Sequence, residues 1–197
     1  MELLLIRHAL PLRVELDEGR ADPPLSDVGW VQAQALARWL LPEGIDAIFT
    51  SPLRRAVQTA EPVTELTGLE SVVVDGLAEW DREANAYIPM EELKAENDPR
   101  WRTMVEGTFV SEVGVDPVAF QRGVVEAVEE VIARSPSMRV AAICHGGVVN
   151  AYVAHMLGID RMLFFEPGYT SITRIHASQA GHRSLGSLNE TAHLREV

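Results

Sequence analysis

Three short polar clusters in this sequence each follow an apolar run of strand length. Arg7-His8 follows residues 3–6, Ser51 to Arg55 follows residues 45–49, and His145-Gly146-Gly147 follows Arg139–Cys144. An imidazole can attack an electrophile or move a proton near neutral pH. The planar fork of arginine matches an oxyanion such as phosphate. Glycines opening a helix let backbone N–H groups face an anion. Singly, each cluster has an ordinary explanation. A histidine at a strand end is commonly structural, Arg54 or Arg55 in the first turn of a helix is commonly solvated, and Cys144 reads as a small buried strand residue. Jointly, two histidines and at least two arginines make an anion-handling site, provided the three strands are neighbours.

That condition falls on the elements. Residues 3–6 are apolar throughout, the pattern of a strand buried on both faces of a parallel sheet. Ser26 or Asp27 caps a helix through about Leu41, with Ala33, Leu36, Ala37 and Leu40 at helical spacing and Pro42 with Gly44 ending it. Residues 45–49 make a second strand. Ser51-Pro52 reads as the cap and first turn of a helix that kinks at Pro62 and stops at Gly68. Residues 71–74 make a third strand, and residues 76–116 an acidic, irregular, partly helical excursion holding Trp80, Tyr87, Trp101 and Phe109. Asp116-Pro117 opens a helix with Phe120, Val124, Val128, Val131 and Ile132 on one side. A fourth strand over Arg139–Cys144 leads into a helix over Gly146–Leu157, and residues 171–176 and 183–188 read as paired late strands. The order predicts an α/β fold, an open, mainly parallel sheet with helices on both faces. A single domain over residues 1–197 is expected, with residues 76–116 covering the substrate. In open sheets of this kind ligands bind beyond the carboxyl ends of the strands, where the three clusters stand.

Composition narrows the classes. The chain has 197 residues, 47% of them hydrophobic and 23% charged, as in an ordinary globular protein. A net charge of −12 argues against nucleic acid and against a polybasic membrane anchor. Cys144 is the single cysteine, which excludes an intramolecular disulfide framework and a cysteine-rich metal site. Lys94 is the single lysine, so an anion must be handled by arginine. Residues 1–6 are too short and carry Glu2 in place of a basic lead, so no targeting segment is expected and the chain is read as cytoplasmic. No feature speaks to oligomeric state.

The clusters, read with their neighbours, resemble the histidine phosphatase superfamily, of phosphoglycerate mutase-like fold. Arg7-His8-Ala9 is similar to its Arg-His-Gly signature, with alanine in place of glycine. Leu25-Ser26-Asp27-Val28-Gly29 resembles its Leu-Ser-x-x-Gly helix start. Ser51-Pro52-Leu53-Arg54-Arg55-Ala56-Val57-Gln58-Thr59-Ala60 is similar to Ser-x-Leu-x-Arg-Ala-x-x-Thr-Ala. Leu77-Ala78-Glu79 and Cys144-His145-Gly146-Gly147 match the segments carrying the acid and the second histidine. Ser171-Ile172-Thr173 and the segment from Leu188 to Leu194 resemble the C-terminal ones. These seven segments, in order, span the chain. The resemblance implies that His8 is the nucleophile, forming a phosphohistidine. It implies that Arg7, Arg55 and His145, with Gly146, bind the phosphoryl oxygens, and that Glu79 protonates the leaving alkoxide and then activates water. Asp81 and Glu83 are alternatives to Glu79, and Arg13 is a candidate extra contact. The resemblance implies no metal or other cofactor, and as partner a small phosphorylated metabolite. The expected activity is phosphomonoester hydrolysis. Phosphoglycerate mutase chemistry and an inactive phosphate-binding module are the alternatives. The turn Arg-His-Ala-Leu-Pro lacks a dinucleotide glycine pattern, no arginine follows Cys144 as a cysteine phosphatase needs, and no histidine pair has zinc-hydrolase spacing.

Overall fold

Alternation of apolar residues along each strand makes two cores, one on each side of a sheet. The computed structural model describes residues 1–106 and 114–195. Its strands are β1 (Glu2–Arg7), β2 (Val14–Glu15), β3 (Ala47–Thr50), β4 (Ser71–Val73), β5 (Ala86–Tyr87), β6 (Arg139–Cys144), β7 (Ile172–Ala177) and β8 (Arg183–Glu190). Its helices are α1 (Asp27–Leu40), α2 (Arg54–Thr67), α3 (Met90–Ala95), α4 (Pro99–Glu106), α5 (Pro117–Arg134) and α6 (Gly146–Leu157). Leu3, Leu5, Val140 and Ala142 pack with Val124, Val128 and Val131 of α5 and Val149 and Tyr152 of α6. Leu4, Ile6, Ala141 and Ile143 pack on the other side with Leu36 and Leu40 of α1 and Ala56, Ala60 and Val63 of α2. Residues 3–6 of β1 and 140–144 of β6 are apolar at every position because each face of the sheet there has its own helical layer. Cys144 is fully buried, and burial pushes its thiol pKa up.

The six-stranded sheet has the order β4-β3-β6-β1-β7-β8. The first four strands are parallel, and β7 runs antiparallel to both β1 and β8. Arg7 pairs with Cys144 and Thr50 with Ile143, so β1, β3 and β6 end together at one edge. Ser26 caps α1 by accepting from the Gly29 N–H at 3.0 Å. Asp116 caps α5 through the Val118 and Ala119 N–H groups.

The second helix differs from the sequence expectation. It begins at Arg54 with the apolar Leu53 at the cap position and so has no side-chain cap; Ser51 stands two residues earlier, its hydroxyl engaged with His145. Pro62 lies inside this helix and is buried. A two-stranded antiparallel ribbon of β2 and β5, not foreseen, ties the loop after β1 to the excursion. The excursion contributes α3 and α4; Phe109 lies outside the described residues. Gly76 lets the chain leaving β4 press on α5, since a Cβ there would sit 2.6 Å from the Ala127 Cβ. That contact buries Leu77 and sets the start of the segment carrying Glu79. Among the described residues, no helix is long and apolar enough to cross a membrane.

Candidate active site

His8 leaves β1 with its backbone still held in the sheet, its N–H donating to the Cys144 carbonyl at 2.9 Å. Its ring Nδ1 lies 2.8 Å from the Ala9 carbonyl oxygen. A carbonyl can only accept, so Nδ1 carries the proton and Nε2 keeps its lone pair. Burial drives the His8 pKa well below the ordinary value, with the Arg55 and Arg7 charges adding to the effect. The imidazole is therefore neutral at neutral pH. Ala9 is itself fully buried, packed with Leu25 and Ala33, so its methyl group occupies core rather than the site.

The two arginines are held rigidly. Arg7 donates from Nη1 to the Pro167 carbonyl at 2.5 Å and lies 3.8 Å over the Tyr169 ring. Arg55 donates from Nη2 to Asp81 at 2.8 Å and lies 4.7 Å over the Tyr87 ring. The Arg55 Nε is buried without a protein partner. Thr59 joins the two segments: its hydroxyl donates to the Arg55 carbonyl at 2.7 Å and accepts from the Ala9 N–H at 2.9 Å.

His145, at the end of β6, has its ring centroid 5.0 Å from that of His8. Its Nε2 lies 2.7 Å from the Ser51 hydroxyl oxygen, which accepts from the Leu53 N–H at 3.2 Å. With a second lone pair and its own proton still available, the Ser51 hydroxyl pairs with Nε2 in either tautomer of the ring, as donor or as acceptor. Nδ1 is buried without a protein partner. Burial depresses the His145 pKa well below its usual value, followed by Arg55, His8 and Arg7.

Glu79 is 8% exposed and docks on the start of α6. It accepts from the Gly147 N–H at 2.7 Å and from the Trp80 N–H at 3.1 Å. A Cβ at position 147 would collide with this carboxylate, so the second glycine of the pair is what admits the acid. Burial and then the Asp81 charge push the Glu79 pKa up to about 7, against the pull of the two N–H groups and Arg55. Asp81 is instead tied to Arg55, and Glu83 is exposed and paired with Arg20 at 3.1 Å.

Arg7, His8, Arg55, Glu79, Gly146 and Gly147 line one cavity of about 770 Å³. Arg13 does not reach it. It is exposed and held by Glu15, Glu92 and Glu96 at 2.7–3.6 Å, which removes it from the candidate contacts. Tyr169 was not marked by any sequence pattern; an aromatic residue announces itself as a platform for arginine only once the fold stacks them. Together these groups can receive a tetrahedral oxyanion between two fixed guanidinium groups, present a neutral imidazole to it, and supply a proton from a carboxyl group that titrates near neutrality.

A family model described as histidine phosphatase superfamily (branch 1) matches residues 3–191. The chain is 31% identical over 202 residues to phosphoserine phosphatase 1 of Hydrogenobacter thermophilus, covering 100% of this chain and 95% of that protein. A phosphoserine phosphatase from Entamoeba histolytica superimposes with a TM-score of 0.76 at 22% identity, over 98% of each chain. A mycobacterial glucosyl-3-phosphoglycerate phosphatase superimposes with a TM-score of 0.74 at 24% identity, over 97% of this chain and 99% of the other. The two structures share the fold described above.

Proposed function

The chain belongs to the histidine phosphatase superfamily (branch 1), and from that premise we propose that it hydrolyses a small phosphorylated metabolite through a phosphohistidine intermediate. His8 Nε2 attacks phosphorus as the bond to the leaving oxygen breaks. Arg7, Arg55 and His145 stabilise the phosphoryl oxygens, with the Gly146 end of α6 beside them. Glu79 gives its proton to the leaving alkoxide. As a carboxylate it then takes a proton from water, whose oxygen attacks phosphorus, so that the P–N bond breaks and inorganic phosphate and neutral His8 are restored.

The observation that carries this reading is the commitment of His8 Nδ1 to the Ala9 carbonyl, between two buried arginines. It leaves an unprotonated Nε2 in a site shaped for an anion. Relatives named as phosphatases of phosphoserine and of glucosyl-3-phosphoglycerate support the substrate class. Rapid quench with a radiolabelled phosphomonoester is expected to trap an acid-labile, base-stable phosphoprotein, absent in His8→Ala. Phosphate release that persists undiminished in His8→Ala would remove the nucleophile assignment. An intact protein that turns over no aryl phosphate would favour a phosphate-binding module instead.

A further inference from the structure

The cavity has two unlike parts. Arg7, His8, Arg55 and Glu79 supply the polar chemistry at one end. Much of the remaining wall is carbon, from Ile88, Met90, Leu93, Trp101, Leu163 and Phe164. At about 770 Å³ it lies in the range that encloses drug-sized ligands, far larger than the leaving group of phosphoserine or of a phosphoglycerate.

The charges on the wall are largely committed. Arg100 is held by both oxygens of Asp98 at 2.8 and 2.9 Å. Glu166 faces Lys94 at 3.8 Å, and Glu83 is paired with Arg20. Apart from Arg7 and Arg55, Arg161 is the lining cation with no ion-pair partner among the described residues. Beyond the arginines at the reacting end, a polyanionic leaving group would meet one free cation, Arg161, and the carboxylates of Glu83 and Glu166. An apolar one would meet surface that gains from losing water, at about fourfold in binding per buried methylene.

Resting on the hydrolase reading above, we propose that the substrate is a phosphomonoester whose leaving group is large and apolar or aromatic, with at most one further negative charge. The reacting phosphate anchors at the arginines, and the body of the substrate lies along the carbon wall formed by α3, α4 and residues 163–165. Leu163 and Trp101, both half-buried and outside the central cores, are the residues on which selectivity rests.

A series of n-alkyl phosphates from ethyl to octyl tests this, because leaving-group basicity is nearly constant along it. kcat/KM for phosphate release is expected to rise about two- to fourfold per added methylene. The octyl ester should exceed phosphoserine, and Leu163→Asn and Trp101→Ala should each flatten the slope. The matching n-alkylphosphonates, which cannot be hydrolysed, should show dissociation constants that fall in step by calorimetry. A flat phosphonate series, or phosphoserine turned over faster than octyl phosphate, overturns the proposal. The two readings separate cleanly. Ethyl phosphate hydrolysed through His8 with no gain along the series sinks the substrate class and spares the hydrolase. A steep phosphonate series with no ester hydrolysed supports the apolar pocket and sinks the hydrolase.

Discussion

One cause, burial, moves the titratable groups of this cavity in opposite chemical directions. It penalises charge, so His8 and His145 are held neutral while Glu79 holds its proton up to a pKa of about 7. A neutral base beside a protonated acid is the pairing that nucleophilic attack and leaving-group protonation require together. The pH dependence follows with a definite sign. Glu79 is raised, so its proton is present below about pH 7 and lost above it. For an alkyl phosphate, kcat/KM should therefore decline above neutrality. For a nitrophenyl phosphate, whose leaving group needs no proton, the alkaline decline should be absent. Glu79→Gln should lower kcat/KM, which reports phosphoenzyme formation alone, by about a hundred- to ten-thousand-fold for the alkyl ester and far less for the aryl ester. Equal losses in kcat/KM on both esters would return the acid role to Asp81 or Glu83. Asp81, held by Arg55 at 2.8 Å, is the better placed of those two.

At the scale of elements, much of the candidate site consists of segments that hold other segments. Gly147 at the start of α6 receives Glu79, so Gly147→Ala should reproduce the kinetic signature of Glu79→Gln, the alkyl ester suffering more than the aryl ester. Unchanged alkyl-ester kinetics would show that the acid does not depend on that N–H. At the amino end of β1, Arg174 binds Glu2, Glu43 and Glu190 at 2.8–3.3 Å, with all four side chains half-buried or better. Arg174→Met leaves three carboxylates with fewer partners and should cost about 3 kcal/mol in denaturant unfolding while kcat stays near wild type; a loss under about 0.5 kcal/mol would mark the network as solvent-screened. The strands and their shared edge were legible because two-faced apolar runs ending in Arg-His, Ser-Pro and His-Gly-Gly carry the information locally. Ser51 read as a helix cap because serine before proline has that local meaning; its engagement with His145 depends on two strands meeting in space. The same holds for Tyr169, whose neighbours Gly168 and Thr170 are bound by Asn189 at 2.8 Å and His193 at 2.9 Å from the far end of the chain. No spacing rule links those positions, although the C-terminal segment that supplies both partners carries a recognisable motif.

The charge distribution of the whole molecule bears on whether the phosphoryl group goes to water or back to substrate. The chain carries −12, and the excursion over the site is acidic. Three of its four cations face carboxylates, Arg82 on Asp75 at 2.9 Å, Arg100 on Asp98 at 2.8 Å and Lys94 near Glu166 at 3.8 Å, while the exposed Arg102 donates to Asn97 at 3.3 Å. Arg13, in the loop that the β2–β5 ribbon ties to this excursion, is spent on three glutamates. A mutase must retain a doubly charged sugar acid while the phosphoryl group returns, which calls for cations beyond those on the reacting phosphate. On the proposed mechanism Arg7 and Arg55 serve the reacting group, and salt would screen only part of the repulsion from exposed carboxylates. Phosphate release should therefore dominate over phosphoryl return. In an assay following both 3-phosphoglycerate and 2-phosphoglycerate, 2,3-bisphosphoglycerate should not stimulate their interconversion, and inorganic phosphate should account for the substrate consumed. Rapid cofactor-stimulated interconversion with little phosphate released would show that the acidic cover does not exclude a second anionic group, and would establish a mutase.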